Sequence, residues 1–125
     1  MDEKQKVIVK WLENEVKGKK WNIYFESYEY KNLTIYGAGD LGKYLIWALH
    51  NTDISVNCVI DHRADEKRKF ESYDVYTLDE FLESSIETDA IVVTTLDAYE
   101  DVLTTVTRNR TDLPVMFLRD MIYEL

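Results

Sequence analysis

The stretch "LTIYGAGDLGKYLIW", Leu33 to Trp47, runs from a short apolar segment into Gly37, Gly39 and Gly42, a G-x-G-x-x-G spacing at the start of a helical pattern. Few sequence features restrict a fold more. A strand that turns into a helix within so few residues uses a first glycine for the tight turn and a second where backbone must come close to a pyrophosphate. The third lets helix and strand pack without a side chain between them. The helix that follows would aim its unpaired N–H groups, and the positive end of its dipole, at the anion.

The rest of the chain supplies the context such a turn needs. After "LTIY" (33–36) a helix is expected from about Leu41 to His50, then a strand "SVNCVI" (55–60). A charged loop, "DHRADEKRK", leads to a weak extended piece, "YDVYT", and a short helix around Leu78 to Leu82. "AIVVTT" (90–95), a helix from about Tyr99 to Arg108 and "VMFL" (115–118) complete the series, with the lone Pro114 just ahead of the last strand, where a missing N–H is tolerated. The β-branched runs lack clean alternation, as expected of parallel strands covered on both faces by their crossover helices. Right-handed crossovers then favour an α/β, three-layer, Rossmann-like doubly wound sheet of about five parallel strands, ordered 3-2-1-4-5, over residues 32–125.

Residues 1–31 read as an N-terminal helical extension. In "KVIVKWLENEV" the residues Ile8, Leu12 and Val16 recur four apart on one helical face, and Gly18 can end that helix. Trp21, Tyr24, Phe25 and Tyr28 suit a second short helix. With Trp11, these aromatics exceed what a minimal sheet needs. They either pad the sheet or form a contact surface for a homodimer or a partner enzyme.

Charge narrows the partners. Acidic residues outnumber basic ones 24 to 15 in 125 residues, for a formal charge of −9, a field that repels nucleic-acid backbones. No apolar stretch reaches the roughly 20 residues that span a bilayer, and "MDEKQK" lacks the apolar core of a secretory signal, so a cytoplasmic location is expected. The single cysteine, Cys58, lies in an apolar run and reads as a small buried hydrophobe.

Candidate ligand-binding residues gather at the carboxyl edge of the expected sheet. Backbone N–H groups would come from Gly37, Ala38, Gly39, Asp40 and Leu41, and Gly42 would permit close packing. Asp61, 19 residues beyond Gly42 at the end of the second strand, stands where a dinucleotide site places the acid that binds ribose hydroxyls. His62 and Arg63 follow it; Arg63 could stack on a base, and Asp61 would repel a 2′-phosphate, which favours NAD over NADP. Thr94, Thr95 and Asp97 follow the fourth strand, where they could meet the distal half of a ligand, while Asp97 is also placed to cap the next helix. Lys67, Arg68 and Lys69 form a local basic spot, read as a solvated loop paired with Asp65 and Glu66 or as a steering patch. The competing account of the glycine turn is that it serves strand–helix packing alone.

"LTIYGAGDLGKYL", "VNCVIDHRAD", "YDVYTLDEFLE", "DAIVVTT" and "VMFLRDMIYEL" together resemble the small Rossmann-like domains of bacterial surface-polysaccharide and nucleotide-sugar enzymes. The similarity is to the N-terminal part of sugar acetyltransferases and to the accessory domain of nucleotide-sugar dehydratases and epimerases, over about residues 32–125. It implies a glycine turn facing a nucleotide, an acid at Asp61 facing its ribose, and NAD or a UDP-sugar as ligand.

Catalytic groups are harder to find. Short-chain epimerases and dehydratases use a tyrosine with a lysine four residues later, and none of the nine tyrosines has one. His50 and His62 have no compelling serine or cysteine partner, and no zinc-ligand set is present; His50 reads as a helix-end residue. The expectation is therefore a stand-alone nucleotide-binding module without autonomous catalysis. The alternatives are a ligand-free scaffold and a partner-dependent oxidoreductase or epimerase, for which Tyr36 and Tyr99 are the tyrosines to test.

Overall fold

A computed structural model describes residues 1–125. The chain begins with helix α1 (Glu3–Val16), held at its start by a reciprocal capping box: Gln5 N–H donates to Asp2 Oδ1 at 2.7 Å and Asp2 N–H to Gln5 Oε1 at 2.9 Å. It stops where Gly18 adopts φ +76° and Lys19 N–H reaches back to the Asn14 carbonyl at 2.9 Å, a left-handed cap that glycine supplies without strain. Helix α2 (Trp21–Ser27) follows.

The remaining elements are β1 (Asn32–Tyr36), α3 (Asp40–Leu49), β2 (Ser55–Ile60), β3 (Lys69–Phe70), β4 (Tyr73–Tyr76), α4 (Leu78–Glu83), β5 (Ala90–Val93), α5 (Tyr99–Asn109), β6 (Val115–Phe117) and α6 (Leu118–Glu124). They build an α/β fold around one mixed, mostly parallel sheet of six strands in the order β3-β4-β2-β1-β5-β6. β1 lies between β2 and β5, with Ile35 level with Val59 on one side and Val92 on the other. The weak extended piece is a strand, joined to β2 through Val59 opposite Val75 and Ile60 opposite Tyr76.

Two elements depart from the sequence expectation of about five parallel strands ending the chain. β3 adds a sixth strand, antiparallel to β4. Its turn residues Glu71 and Ser72 both have positive φ, 49° and 73°, the hairpin conformation usually announced by Asn-Gly, so the local signal was missing. The run "VMFL" leaves the sheet at Phe117, and Leu118 opens α6, whose Leu118, Met121 and Ile122 are buried.

Side chains along the central strands alternate between two apolar clusters, which is why the runs look apolar throughout. Leu33, Ile35, Val59 and Val92 point into a cluster with residues of α1, α2, α3 and α6. Cys58, Ile60, Ile91 and Val93 point into another with Phe81 of α4 and Val102 and Val106 of α5. Both faces of the sheet are therefore covered.

Helix α1 does not pack on its Leu12–Val16 side. Val7, Trp11 and Asn14 are buried, whereas Leu12 and Val16 are 64% and 80% exposed. A 7-11-14 spacing follows the 3.6-residue turn better than 8-12-16, but its third member is polar, which hid it. Asn14 Nδ2 donates to the Ile122 carbonyl at 2.8 Å, tying α1 to α6, while its Oδ1 is buried without a partner. Trp11, Trp21 and Phe25 are buried, with Trp11 edge-on to Trp21 at 5.6 Å, so these aromatics pad the sheet. Each such side chain contributes on the order of 1.5–3 kcal/mol by leaving water.

Candidate functional site

The three glycines of the turn have three different physical reasons. Gly37 sits at φ +118°, and a Cβ there would lie 2.5 Å from Thr94 Oγ1 and 2.6 Å from Thr95 Oγ1. At Gly42 a Cβ would lie 2.2 Å from the Gly37 carbonyl oxygen, which is backbone and cannot swing aside. Both positions are explained by packing. Gly39 is not: its φ of −125° and ψ of −165° suit any residue, and nothing lies within 4 Å of where its Cβ would be.

That open space is the cleft. Gly39 is the N-cap of α3, with no side chain to bond the first turn, and the N–H groups of Gly39, Asp40, Leu41 and Gly42 have no acceptor within the protein. The donor set is shifted from the one expected. The N–H of Gly37 is spent on the Ile60 carbonyl at 2.8 Å, continuing the ladder with β2, and that of Ala38 on Asp61 Oδ2 at 2.7 Å. The donors left for an anion run from Gly39 to Gly42.

Asp61 is only 5% exposed at the end of β2. Its Oδ1 accepts from the Arg63 backbone N–H at 2.8 Å and Arg63 Nε at 3.1 Å, while Oδ2 accepts from Ala38. Burial pushes its pKa up, but the Arg63 guanidinium and the two backbone N–H groups outweigh burial and hold it below the ordinary carboxylate value. The acid expected to face a ribose is thus also the clamp that fixes the glycine loop.

A cavity of about 550 Å³ opens above these groups. The turn from Ala38 to Gly42, Asp61, His62 and Arg63 line one side, and Thr94, Thr95, Leu96 and Asp97 line another. Thr94 is buried and donates to the Tyr36 carbonyl at 2.8 Å, whereas the His62 side chain is exposed. Gly37 lies beneath the turn and does not line the cavity. Arg63 and Asp61 also border a smaller neighbouring pocket of about 290 Å³ that contains Lys67. Asp97 does not cap α5: the N-cap is Ala98, one residue later, so the Asp97 side chain is out of register with the first turn. The basic spot is largely paired, Arg68 with Asp65 and Glu80 at 2.8 Å each and Lys69 with Asp74.

The third wall comes from a region with no sequence signal for the site. Asp2, Glu3 and Lys4 reach the cavity from α1, and Lys4 Nζ lies 2.7 Å from Asp40 Oδ2. Lys4 lies 36 residues before Asp40, so no local spacing could have paired them. The hydrogen bond from Lys4 and its charge hold the Asp40 carboxyl below its usual range. The carboxylate beside the free N–H groups is thereby paired with a cation from another element.

Burial, then the charge of Asp61, raises the Tyr36 phenol, and burial raises that of Tyr99, the reverse of what proton abstraction requires. No group of three or more His, Cys, Asp and Glu residues is placed to hold a metal ion. The Cys58 thiol is buried and pushed up to about 11 by that burial. No helix is long and apolar enough to cross a membrane.

A family model described as "C2185-like, N-terminal" matches residues 29–110, well over half of the chain. The matched region runs from just before β1 to just past α5 and includes the whole glycine turn, Asp61 and Thr94. No curated protein matches the chain. The chain belongs to the C2185-like N-terminal family.

Proposed function

We propose that this member of the C2185-like N-terminal family is a Rossmann-like module that binds a dinucleotide or nucleotide-sugar, of the NAD or UDP-sugar class, and does not turn it over alone. Gly39 carries the reading. It is the one glycine of the turn that the protein's own packing does not require, and it lines a cavity together with Asp40, Leu41 and Gly42, whose N–H groups, like its own, have no acceptor within the protein.

The sheet supports the same reading. Inside the edge strand β3 the strands follow as β4-β2-β1-β5-β6, an order that favours a doubly wound reading of the sheet. Ligands of doubly wound sheets occupy the crevice beyond the carboxyl ends of the strands where the order reverses. Here that point lies between β1 and β5, at the Gly37 turn and Thr94–Thr95. A pyrophosphate would take the N–H groups of residues 39–42, Asp61 would offer its remaining lone pairs to the ribose, and Arg63 would flank the base. The resemblance to nucleotide-sugar and polysaccharide enzymes points to that metabolism.

A second reading, a ligand-free scaffold, is favoured by the engagement of Asp61 with Ala38 and Arg63. Native mass spectrometry of freshly purified protein, followed by calorimetry with NAD, NADH, UDP and UDP-glucose, separates the two. A retained adduct, or a thermal shift that grows with ligand, is expected; binding at a hundredfold excess over Kd stabilises by about 2.7 kcal/mol. Flat responses to all four overturn the nucleotide reading in favour of the scaffold.

A further inference from the structure

Five carboxylates line the cleft, and four of them are committed to the protein itself. Asp2 accepts from the Gln5 N–H in the capping box, Glu3 pairs with Arg119 at 2.8 Å, Asp40 pairs with Lys4 at 2.7 Å, and Asp61 holds Ala38 and Arg63. Asp97 is the fifth. It is exposed, forms no hydrogen bond or ion pair, and is not the N-cap of α5.

Leu96 and Asp97 also border a second cavity of about 230 Å³, which lies next to the cleft beyond the end of β5. Glu100, Asp101 and Asp120 line that cavity, and its one cation, Arg119, is already bonded to Glu3 and lies 3.5 Å from Asp120. The Tyr36 phenol, at the end of β1, registers the same field: it is raised first by burial and then by the charges of Asp61, Asp101 and Asp97. The two ends of the cleft therefore differ in sign. At the α3 end lie the free N–H groups, with the positive end of a helix dipole behind them. At the Asp97 end, negative charge stands without a counter-ion. A ligand anchored by an anion at α3 and extended along the crevice presents its far end to Asp97. A hydroxyl or amide there offers the carboxylate a donor, whereas a second carboxylate meets a like charge.

We infer that Asp97 selects the far end of the ligand, admitting an uncharged group that donates hydrogen bonds, such as a sugar hydroxyl or a carboxamide, and rejecting a carboxylate. The inference rests on the nucleotide reading of the cleft and holds for either of its two ligand classes.

Two pairs of compounds differ at the far end by a carboxylate alone: NAD with nicotinic acid adenine dinucleotide, and UDP-glucose with UDP-glucuronate. Calorimetric titration of the full chain with all four, at low and high salt, tests the inference. In whichever pair binds, the carboxylate member should bind about five- to tenfold more weakly at low salt, the scale of a partly screened like-charge contact, and the difference should shrink at high salt. Asp97→Asn and Asp97→Ser should each bring the pair to within about twofold, the scale left when that contact is gone. Asp53→Asn removes an exposed carboxylate just before β2, at the opposite edge of the sheet, and should leave the difference as it is. Equal affinities within a pair for the wild type overturn the inference and leave the nucleotide reading standing. So does a difference that survives both Asp97 variants, or one that Asp53→Asn removes as well. Failure of all four compounds to bind overturns the inference and the nucleotide reading together.

Discussion

Lys4 Nζ, in the first turn of α1, lies 2.7 Å from Oδ2 of Asp40, the first residue of α3, so that a cation from one element neutralises the carboxylate nearest the free N–H groups of another. The pair sits at the cavity mouth with both side chains about half exposed. Removing either charge should change anion affinity in opposite directions. Lys4→Ala should weaken NAD binding, and Asp40→Asn should strengthen it, each by about three- to tenfold, the scale of solvent-screened charges. Calorimetric titration of both variants at low and high salt checks this; equal affinities at low salt would exclude Lys4 and Asp40 from the electrostatics of the site.

The Asp61–Ala38 hydrogen bond predicts a cost in stability, separate from any ligand. Asp61→Ala strands the Ala38 N–H and removes both bonds to Arg63. Groups left without partners at a partly wet site cost about 1–3 kcal/mol. Thermal denaturation without ligand should fall by roughly 3–10 °C. An unchanged midpoint would mean that the glycine loop holds its shape without this clamp.

Acid should unfold the protein partly through Glu80. Its carboxylate accepts from Arg68 Nη1 and the Thr77 N–H at 2.8 Å each and is pushed down to about 2, first by the Arg68 side chain and then by the Thr77 N–H. A carboxyl whose pKa is lower folded than unfolded contributes fully above its ordinary value of 4.5 and loses that contribution as pH falls toward 2. Denaturant titrations between pH 6 and 2 should therefore show a shallower acid limb for Glu80→Gln than for wild type. Parallel curves for the two proteins would contradict the assignment.

How much of this was legible follows from where each signal lives in the chain. The turn from Leu33 to Gly42, the strand ending at Asp61 and the strand before Thr94 are contiguous patterns, and their spacing reflects backbone geometry that only a few folds share. Lys4 was invisible because its partner is brought to it by tertiary packing. The buried face of α1 carries no clean apolar period because Asn14, a polar residue, belongs to it, whereas the apolar Leu12 and Val16 are exposed. The Ala38 N–H could not be known to be spent, since hydrogen-bond partners across a cleft leave no trace in sequence periodicity. β3 escaped because two residues in a charged loop carry no period at all.

The three glycines separate folding from binding when replaced one at a time. Gly42→Ala forces a Cβ to within 2.2 Å of a backbone oxygen, so α3 must move off β1, and a loss of about 1–3 kcal/mol or more is expected. Gly39→Ser meets no atom of the protein, adopts an ordinary extended backbone, and places a hydroxyl at an N-cap where serine is among the preferred residues. Its stability should match wild type or exceed it by a few tenths of a kcal/mol. The same side chain would occupy the space through which a pyrophosphate approaches, and its hydroxyl would take one of the free N–H groups. Gly39→Ser should therefore keep or raise its melting temperature while losing the shift produced by NAD or UDP-glucose. If Gly39→Ser instead binds the ligand as wild type does, the glycine has no role in admitting it, and the anion must sit elsewhere along the sheet edge.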